Sequence, residues 1–426
     1  MERVGTVVIG AGYAGISLSY ELKKRGIEHV VLDKAPKIFD SWRSHRWDSF
    51  KLNTNWKFSR LPGQVDDVDD DLMGAPVKEV IAGWEAHVVS HKLPVELNSN
   101  ITAGTDDASG NLLVKFQRGD TSITYSTRNV VGCCGFLQNP HIPEVLSASF
   151  PSSVHQTYAG KYTNPGCLQE GGVLVVGNGS TGVQIAEELI QANKKVYLAT
   201  SNMASVFRSF RGLDLFETLK RVNMIGQPKE ALSHPDTMIY GVKIPFTGAD
   251  HPITLHSLAR QGVELLGTLE GVHDDVIQFK DNLKEHVDFA DNAANTFFDT
   301  VKSIADTMPE AFEGCPPAEV EPEMQPYEPQ SQASITQLKL SDIGNVFWAT
   351  GFDWNIDWVK VPSVIEAFGK EGKPVSCETP HPGFFWIGND WMRTRESGNI
   401  IGISPDAQFV AEKITQGKHL HLKNFT

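Results

Sequence analysis

Basic residues are few in this chain, and no long run of lysine and arginine occurs. The 426 residues contain 38 Lys and Arg against 52 Asp and Glu, which gives a formal net charge of −14. Proteins that bind nucleic acid usually carry a basic patch, because they must neutralise phosphates. The charge balance therefore predicts no nucleic-acid partner.

Cysteine is also scarce, and the motif Cys-x-x-Cys is absent, which excludes enzymes that use this redox-active dithiol. The cysteines are Cys133, Cys134, Cys167, Cys315 and Cys377. Five scattered cysteines do not make a disulfide framework. The adjacent pair could bridge only with strained geometry, so we expect buried thiols there.

Long apolar runs are missing as well. No stretch approaches the roughly 20 apolar residues that cross a bilayer. The apolar stretch from Val4 to Gly15 is broken by glycines and lacks a cleavage site, which argues against a signal peptide. We expect no membrane partner and a cytoplasmic location.

Patterns for metal binding and for serine hydrolysis are weak or absent. His87 and His91 lie four residues apart without a third ligand, which favours a surface helix over a zinc site. The acidic run Asp66 to Asp71 lacks the glycine and terminal glutamate of a calcium loop, which favours a solvated loop. Gly-x-Ser-x-Gly does not occur. We therefore predict no metal site and no serine hydrolase.

What the chain does contain is a strand–turn–helix–strand pattern at its start. The apolar run that ends at Ile9 leads into Gly10-x-Gly12-x-x-Gly15 and a helix, and the next apolar run ends at Asp33. Gly10 suits a tight turn, Gly12 lets backbone approach a pyrophosphate, and Gly15 lets the helix pack on the strand. The helix N-terminus then presents N–H groups to the phosphates, and Asp33 can accept hydrogen bonds from a ribose diol. A crossover without nucleotide is the alternative. The candidate contacts of this first turn are Gly10, Gly12, Ala14, Gly15, Asp33 and Lys34.

The same pattern returns in the middle of the chain, where Val173 to Val176 precedes Gly177-x-Gly179-x-x-Gly182. The strand after this second turn ends without a carboxylate that would bind a ribose 2′-hydroxyl or repel a 2′-phosphate. Arg208 follows closely, and guanidinium suits phosphate, so NADPH is favoured over NADH. A solvated surface charge at Arg208 is the alternative. The candidate contacts are Gly177, Gly179, Ser180, Thr181, Thr200, Ser201 and Arg208. Ser180 and Thr181 could equally serve only as helix caps.

Two such units predict an α/β fold with two Rossmann-like dinucleotide-binding domains, the second inserted into the first. We assign 1–165 and 340–426 to the first domain, which includes a β-meander within 85–130. The second domain would cover 166–339, with a helical insertion at about 210–335.

These motifs together resemble the class B flavin-dependent monooxygenases, including a bacterial branch of that group, over nearly the whole chain. The resemblance rests on the two glycine turns in order and on further segments. These are Trp42-Arg43, Trp47 to Asn53, Leu61 to Gly63, Gly135 to Pro143, Ala349 to Phe352, 208–214, 256–267 and 388–408. It implies FAD in the first domain and NADPH in the second. It also implies a C4a-(hydro)peroxyflavin that inserts one oxygen atom of O2 into a small organic substrate, with N- or S-oxygenation favoured. Homodimers are common in such families.

The resemblance also implies roles for individual residues. Asn53 lies where flavin-containing members place an asparagine near flavin and nicotinamide, so it is a candidate catalytic residue, with a turn asparagine as the alternative. Tyr158 falls where the family's linker has a histidine, unless the spacing has slipped and His155 takes that place. Further cofactor contacts implied are Trp42, Arg43, Leu52, Thr350 and Gly351.

Two departures from the family leave other activities open. The two glycines of the family's Gly-Gly-x-Trp motif are replaced by Phe39 and Asp40, and the linker fingerprint is degraded. Alternatives are therefore a Baeyer–Villiger enzyme acting on a ketone, an NADPH oxidase or flavin reductase without oxygen insertion, and a non-catalytic nucleotide-binding protein. Trp354, Trp358, Trp391 and Met392 could line a substrate pocket, although large aromatic residues are more often core.

Overall fold

The structure is a computed structural model that describes residues 1–107, 110–232, 248–327, 335–369 and 372–423, with side chains to 417. The strands are β1 (Glu2–Ile9), β2 (Val30–Leu32), β3 (Val95–Glu96), β4 (Asn100–Asp106), β5 (Leu112–Arg118), β6 (Thr121–Gly132), β7 (Asn139–Pro140), β8 (His155–Tyr158), β9 (Gly172–Val176), β10 (Val196–Ala199), β11 (Ser209–Phe210), β12 (Leu213–Asp214), β13 (Glu264–Leu266), β14 (Leu269–His273), β15 (Val276–Phe279), β16 (Gln337–Lys339), β17 (Ile343–Trp348), β18 (Phe352–Asp353) and β19 (Phe384–Trp386). The helices are α1 (Tyr13–Lys24), α2 (Asp40–Ser44), α3 (Trp56–Ser59), α4 (Val77–Ser90), α5 (Glu144–Ser149), α6 (Ser180–Gln191), α7 (Leu215–Arg221), α8 (Leu255–Gln261), α9 (Leu283–Asp306), α10 (Pro362–Ile365) and α11 (Ile400–Lys423).

The first sheet has the order β3-β2-β1-β6-β5-β4, and β19 adds to β6. Strands β3, β2, β1, β6 and β19 pair in parallel, whereas β4, β5 and β6 form the antiparallel meander expected within 85–130. Parallel strands are buried on both faces and read as continuous apolar runs, as β1 does from Val7 to Ile9. Helix α1 follows β1 and packs against α11.

The second sheet has the order β13-β10-β9-β17-β8, and every pair in it is parallel. All five residues of β9 are buried, and α6 covers it with an apolar face that includes Val183 and Leu189. Strands β9, β10 and β13 lie between β6 and β19 in the chain, so one α/β unit is inserted into the other, as predicted.

The sheets do not end where the sequence analysis placed the domain limits. Strands β8 and β17 were assigned to the first domain with 1–165 and 340–426, but both belong to the second sheet. The apolar run of β17 is compatible with either sheet, and only its pairing with β9 decides between them. The two chain crossings between the sheets meet in a short ribbon, where β7 and β18 pair antiparallel.

The insertion at 210–335 is less helical than predicted. Its described part holds α7, α8 and the 24-residue α9, but also strand β13 of the second sheet and the antiparallel pair β14-β15, to which β16 adds from just beyond the insertion. Residues 233–247 and 328–334 of the predicted insertion lie outside the described residues.

Candidate active site between two glycine turns

The first glycine turn follows β1 and is built so that only Gly12 faces open space. Gly10 has φ +110°, and a Cβ there would lie 2.5 Å from the Cys133 carbonyl oxygen. A Cβ on Gly15 would lie 1.8 Å from the Gly10 oxygen, so helix and turn touch there. A Cβ on Gly12 would meet nothing within 4 Å, and Gly12 is also the N-cap of α1. The turn therefore leaves a cradle at the helix N-terminus that suits a diphosphate.

Asp33 closes this turn from the end of β2. Its Oδ2 accepts from the Ala11 N–H at 2.6 Å, and its Oδ1 accepts from the Ala35 N–H at 2.8 Å. Burial raises the pKa of Asp33, and the two backbone hydrogen bonds oppose that shift. Each carboxylate oxygen keeps a lone pair that can accept from a ribose hydroxyl. Lys34 beside it is exposed.

Strand β19 brings a further segment to the first turn that the sequence analysis did not select. Gly388, just after β19, has φ +96°, and a Cβ there would lie 3.4 Å from the Ala14 side chain. Residues 388–390 therefore border the first cradle, with α11 following them. Residues 388–408 were named for their resemblance to the family, but no cofactor contact was assigned to them from the sequence.

The second turn repeats this construction after β9. Gly177 has φ +104°, and a Cβ there would lie 2.7 Å from the Ala349 oxygen. A Cβ on Gly182 would lie 1.8 Å from the Gly177 oxygen, whereas one on Gly179 would meet only the Met203 methyl, at 3.8 Å. Ser180 and Thr181 are half-buried in the first turn of α6. The second cradle also fits a diphosphate.

The strand after the second turn ends at Ala199, as predicted, but the side chain of Thr200 is engaged within the protein. Thr200 is buried, its hydroxyl donates to the Leu266 oxygen at 2.7 Å, and the hydroxyl also pairs with His286 Nδ1 at 2.9 Å. Its side chain therefore holds β10 to β13 and α9. Ser201 is exposed, and its N–H and hydroxyl both donate to Asn178 Oδ1.

Arg208 does not stand free at the end of β10, as binding of a 2′-phosphate would require. It is 5% exposed and pairs with Asp214 at 2.6 Å, inside the cluster of the insertion that contains Phe216. Burial lowers the pKa of Arg208, and Asp214 opposes that shift. Arg211, the second arginine of that stretch, pairs with Asp306. Few residues separate Arg208 from β10 in the sequence, but the chain enters the insertion directly after that strand. Nearness in sequence therefore did not mean nearness to the second turn.

A segment that we name the bridging segment, residues 39–55, links the two turns. The Phe39 N–H donates to the Ala11 oxygen at 2.9 Å, next to the first turn. Trp47 packs in the core of the second sheet with Val183, and the Ser49 hydroxyl donates to Glu188 of α6 at 2.7 Å. The segment thus contacts the first turn and, further along, the core and helix α6 of the second unit.

The predicted residues of the bridging segment divide into core and cleft positions. Leu52 is buried, and its N–H donates to the Ala75 oxygen at 3.0 Å. Trp42 packs edge-on against Trp84 at 5.3 Å. Arg43 pairs with Glu85 of α4 at 2.6 Å, so its guanidinium is already neutralised.

Asn53 is half-buried at the end of the bridging segment, just before α3. Two residues later Asn55 is 2% exposed, and its Oδ1 has no hydrogen-bond partner among the described residues. A buried amide oxygen without a donor is costly and marks a place where a ligand can donate. Together with the two open glycine cradles, this orphaned oxygen fits a cofactor held between the sheets.

Tyr158 and His155 lie at opposite ends of β8. Tyr158 pairs with Trp348, which in turn pairs with Val176, the residue before Gly177. His155 is exposed and pairs with Asn345 at the amino edge of the sheet. Tyr158 therefore lies at the same edge as the second turn, and His155 does not.

Thr350 and Gly351 lie in the ribbon between the sheets. The Thr350 hydroxyl donates to the His141 oxygen, and the His141 N–H donates to the Gly351 oxygen at 2.9 Å. Gly351 has φ +94°, which favours glycine. Both residues thus form hydrogen bonds with backbone groups of His141, which follows β7 in the other chain connection between the sheets.

The weaker patterns have structural explanations. Asp66 accepts from Trp56, Arg60 and Gln64, which explains an acidic run without a metal. The ring centres of His87 and His91 lie 4.2 Å apart, with the rings tilted, at the end of α4, and in the described ranges no group of three or more metal-ligating side chains forms a site.

Two of the four candidates for a substrate pocket are buried in the core, and the other two are half-buried. Trp358 and Met392 are buried in the core of the first sheet. Trp391 is half-buried, with φ 56°, and Trp354 is half-buried too.

None of the helices traced here, residues 1–423 with the stated gaps, has the length and apolar character to span a bilayer.

The cysteines do not form a redox pair. All five are free. Burial raises the pKa of Cys134 to about 12 and that of Cys133 well above its usual range, so neither thiol ionises near neutral pH.

Comparison with known proteins agrees with this geometry. A family profile described as pyridine nucleotide-disulphide oxidoreductase matches residues 7–209. An uncharacterized CzcO-like oxidoreductase of Geobacillus kaustophilus is 26% identical over 96% of this chain and 98% of its own length. The probable indole-3-pyruvate monooxygenase YUCCA1 of Arabidopsis thaliana is 26% identical over 66% of this chain and 69% of its own.

Solved structures show the same fold. A flavin-containing monooxygenase from Stenotrophomonas maltophilia superposes with a TM-score of 0.64 at 17% identity, covering 98% of this chain and 99% of its own. OTEMO, in complex with FAD and NADP, superposes with a TM-score of 0.58 at 15% identity, covering 98% of this chain and 86% of its own. Two of these four proteins are named monooxygenases and one holds FAD and NADP. The predicted fold and the predicted class, a flavin-dependent monooxygenase-like oxidoreductase, are confirmed.

Proposed function

We propose that this chain binds FAD at the first glycine turn and NADPH at the second, and that it inserts one oxygen atom of O2 into a small organic substrate, at nitrogen or sulfur. The observation that carries the proposal is the pair of open cradles at Gly12 and Gly179, joined by one bridging segment. When bound, the flavin would supply the electrons that activate O2.

The protein's own part is binding, orientation and exclusion of water. The N–H groups of α1 and α6 would hold the two diphosphates, and Asp33 would accept from a ribose. Asn53 and the orphaned Asn55 oxygen, at the end of the bridging segment, would position a ring by hydrogen bonds. Tyr158 would contact the nicotinamide side from the edge of β8.

The test is anaerobic reduction of the FAD-loaded protein by NADPH and by NADH, followed by rapid mixing with O2. We expect faster reduction by NADPH, and then a long-lived absorbance spectrum that belongs to neither the reduced nor the oxidised flavin. Product analysis with amine, sulfide and ketone panels separates N- or S-oxygenation from Baeyer–Villiger chemistry. Protein that cannot be loaded with FAD would refute the proposal.

An NADPH oxidase without oxygen insertion is the second candidate. It is favoured by Tyr158, because a tyrosine stands at the sheet edge where the resemblance implies a histidine. In that case the same mixing experiment would return oxidised flavin directly, with one H2O2 formed for each NADPH consumed.

A further inference from the structure

Arg46 of the bridging segment has no acidic partner among the residues that the structure describes. Its Nη1 donates to the His45 carbonyl oxygen at 2.9 Å, and its Nε is buried without a hydrogen-bond partner in the described parts of the chain. Its guanidinium carbon lies 4.9 Å from the Trp42 ring centre and 4.8 Å from that of Phe50. The two ring centres lie 6.5 Å from each other, so the rings contact neighbouring sides of the guanidinium and leave its other sides uncovered by aromatic groups.

An unpaired guanidinium in such a place is costly to the protein. Burial lowers the pKa of Arg46 to about 10, so the group still carries its charge near neutral pH. Contact with two aromatic rings returns only part of the lost hydration. By contrast, the buried Arg208 is neutralised by Asp214. The arrangement indicates that an anion completes the Arg46 environment.

The residues on either side of Arg46 lie against the second half of the molecule. Trp47 belongs to the same buried cluster as Val183, which follows Gly182 in α6, and the His45 and Phe352 ring centres are 5.7 Å apart. A Cβ on Gly160, two residues after Tyr158, would lie 3.2 Å from the His45 ring. Residues 176–183 themselves contain no lysine or arginine. A diphosphate at this helix N-terminus would therefore lack a cationic side chain from its own turn.

We propose that Arg46 donates hydrogen bonds to the diphosphate of the nicotinamide nucleotide bound at the second turn. This proposal rests on the proposed function. The charge for the second dinucleotide then comes from a segment that starts at the first turn. A planar guanidinium donates two parallel hydrogen bonds to phosphate oxygens from two of its nitrogens, whereas the lysine ammonium donates from a single nitrogen.

The test measures NADP+ binding to FAD-loaded protein by calorimetry, for the wild type and for Arg46→Met. Methionine keeps the apolar packing against Trp42 and Phe50 but removes the charge. We expect NADP+ binding about ten- to hundredfold weaker, as loss of a charge-assisted hydrogen bond implies. FAD content should be unchanged, and the melting temperature without NADP+ should be equal or higher, because an unpaired charge is gone. Arg46→Lys should weaken binding less than Arg46→Met.

The matched control is Arg118→Met. Arg118 also lies over an aromatic ring, Phe116 at 5.4 Å, but it pairs with Glu96 at the far end of β5 and β6. NADP+ binding should not change in this variant. Two nucleotide fragments identify the anion. Binding of 2′-phospho-ADP-ribose, which contains the diphosphate, should respond to Arg46→Met, and binding of 2′,5′-ADP, which lacks it, should not.

The outcomes separate the two proposals. If NADPH reduces the wild type and Arg46→Met binds NADP+ as tightly as the wild type, the role of Arg46 is refuted and the proposed function stands. A loss of FAD with unchanged NADP+ affinity would also overturn it. If NADP+ and NADPH do not bind the FAD-loaded wild type at all, both proposals fail.

Discussion

At the scale of single residues, Gly179 and Gly182 make opposite demands on the second turn. A methyl group at Gly179 has room in the fold, whereas one at Gly182 would collide with the Gly177 oxygen. We predict that Gly179→Ala keeps the melting temperature and FAD content but weakens NADP+ binding by about tenfold or more, because the methyl group occupies the cradle. Gly182→Ala should lower the melting temperature. Unchanged NADP+ affinity in Gly179→Ala would mean that the cradle at Gly179 does not bind the nucleotide.

Asn53 supports a second prediction at this scale. Asn53→Ala should retain FAD but divert electrons, so that the fraction of NADPH consumption appearing as H2O2 rises. The physical reason is the loss of an amide that positions the reacting rings. The control is Asn292→Ala on the exposed side of α9. Coupling equal to that of the wild type would leave Asn53 as a turn residue.

At the scale of elements, the pair formed by Arg208 and Asp214 holds the insertion together. We predict that Arg208→Gln lowers the free energy of unfolding by about 3 kcal/mol, because it leaves the Asp214 carboxylate buried without its partner. The double variant Arg208→Met with Asp214→Leu should recover most of that stability. The ratio of kcat/KM for NADPH to that for NADH should not change in either. A fall in that ratio at full stability would restore Arg208 as a phosphate contact.

Helix α11 carries a buried acid that gives a pH-dependent prediction. Asp406 is 1% exposed, lies 3.5 Å from Arg393, and burial raises its pKa to about 6. The folded protein thus holds a proton that the unfolded chain releases, so this group lowers stability as pH rises from about 4 to about 6. Asp406→Asn should therefore be more stable than the wild type above pH 6, by about 1–3 kcal/mol, and equal to it near pH 4. Urea unfolding at both pH values measures the difference, and an equal difference at the two would contradict the assignment.

The elements also show what the sequence can reveal. Glycine spacing and apolar runs predicted both turns, because those features depend on local backbone geometry. The placement of β8 and β17 in the second sheet was missed, because the apolar pattern of a buried strand does not show which strands pair with it. Arg208 was assigned wrongly for a related reason, because its partner Asp214 is visible only once the insertion has folded. The unpaired Arg46 has no signal in the sequence at all.

At the scale of the whole molecule, the bridging segment joins the two halves into one cooperative unit. Trp47 is 6% exposed in the core of the second sheet, although the chain reaches it from the first turn. We predict one calorimetric unfolding transition for the wild type and two for Trp47→Ala, because that change removes apolar contact worth about 3–5 kcal/mol between the halves. Trp354→Ala, at a half-buried position after the ribbon, serves as the comparison. A single transition in Trp47→Ala would mean that other contacts couple the halves.

The ribbon of β7 and β18 limits how the halves can move. The chain passes from one half to the other twice, and the two passages are stitched to each other at Phe352 and Pro140. Two separated tethers would block rotation, and a single one would permit twisting in any direction. Two main-chain connections fastened side by side by themselves allow rotation of the halves about one axis, which runs along the ribbon. Rings carried by the two halves would then approach and part along a fixed arc.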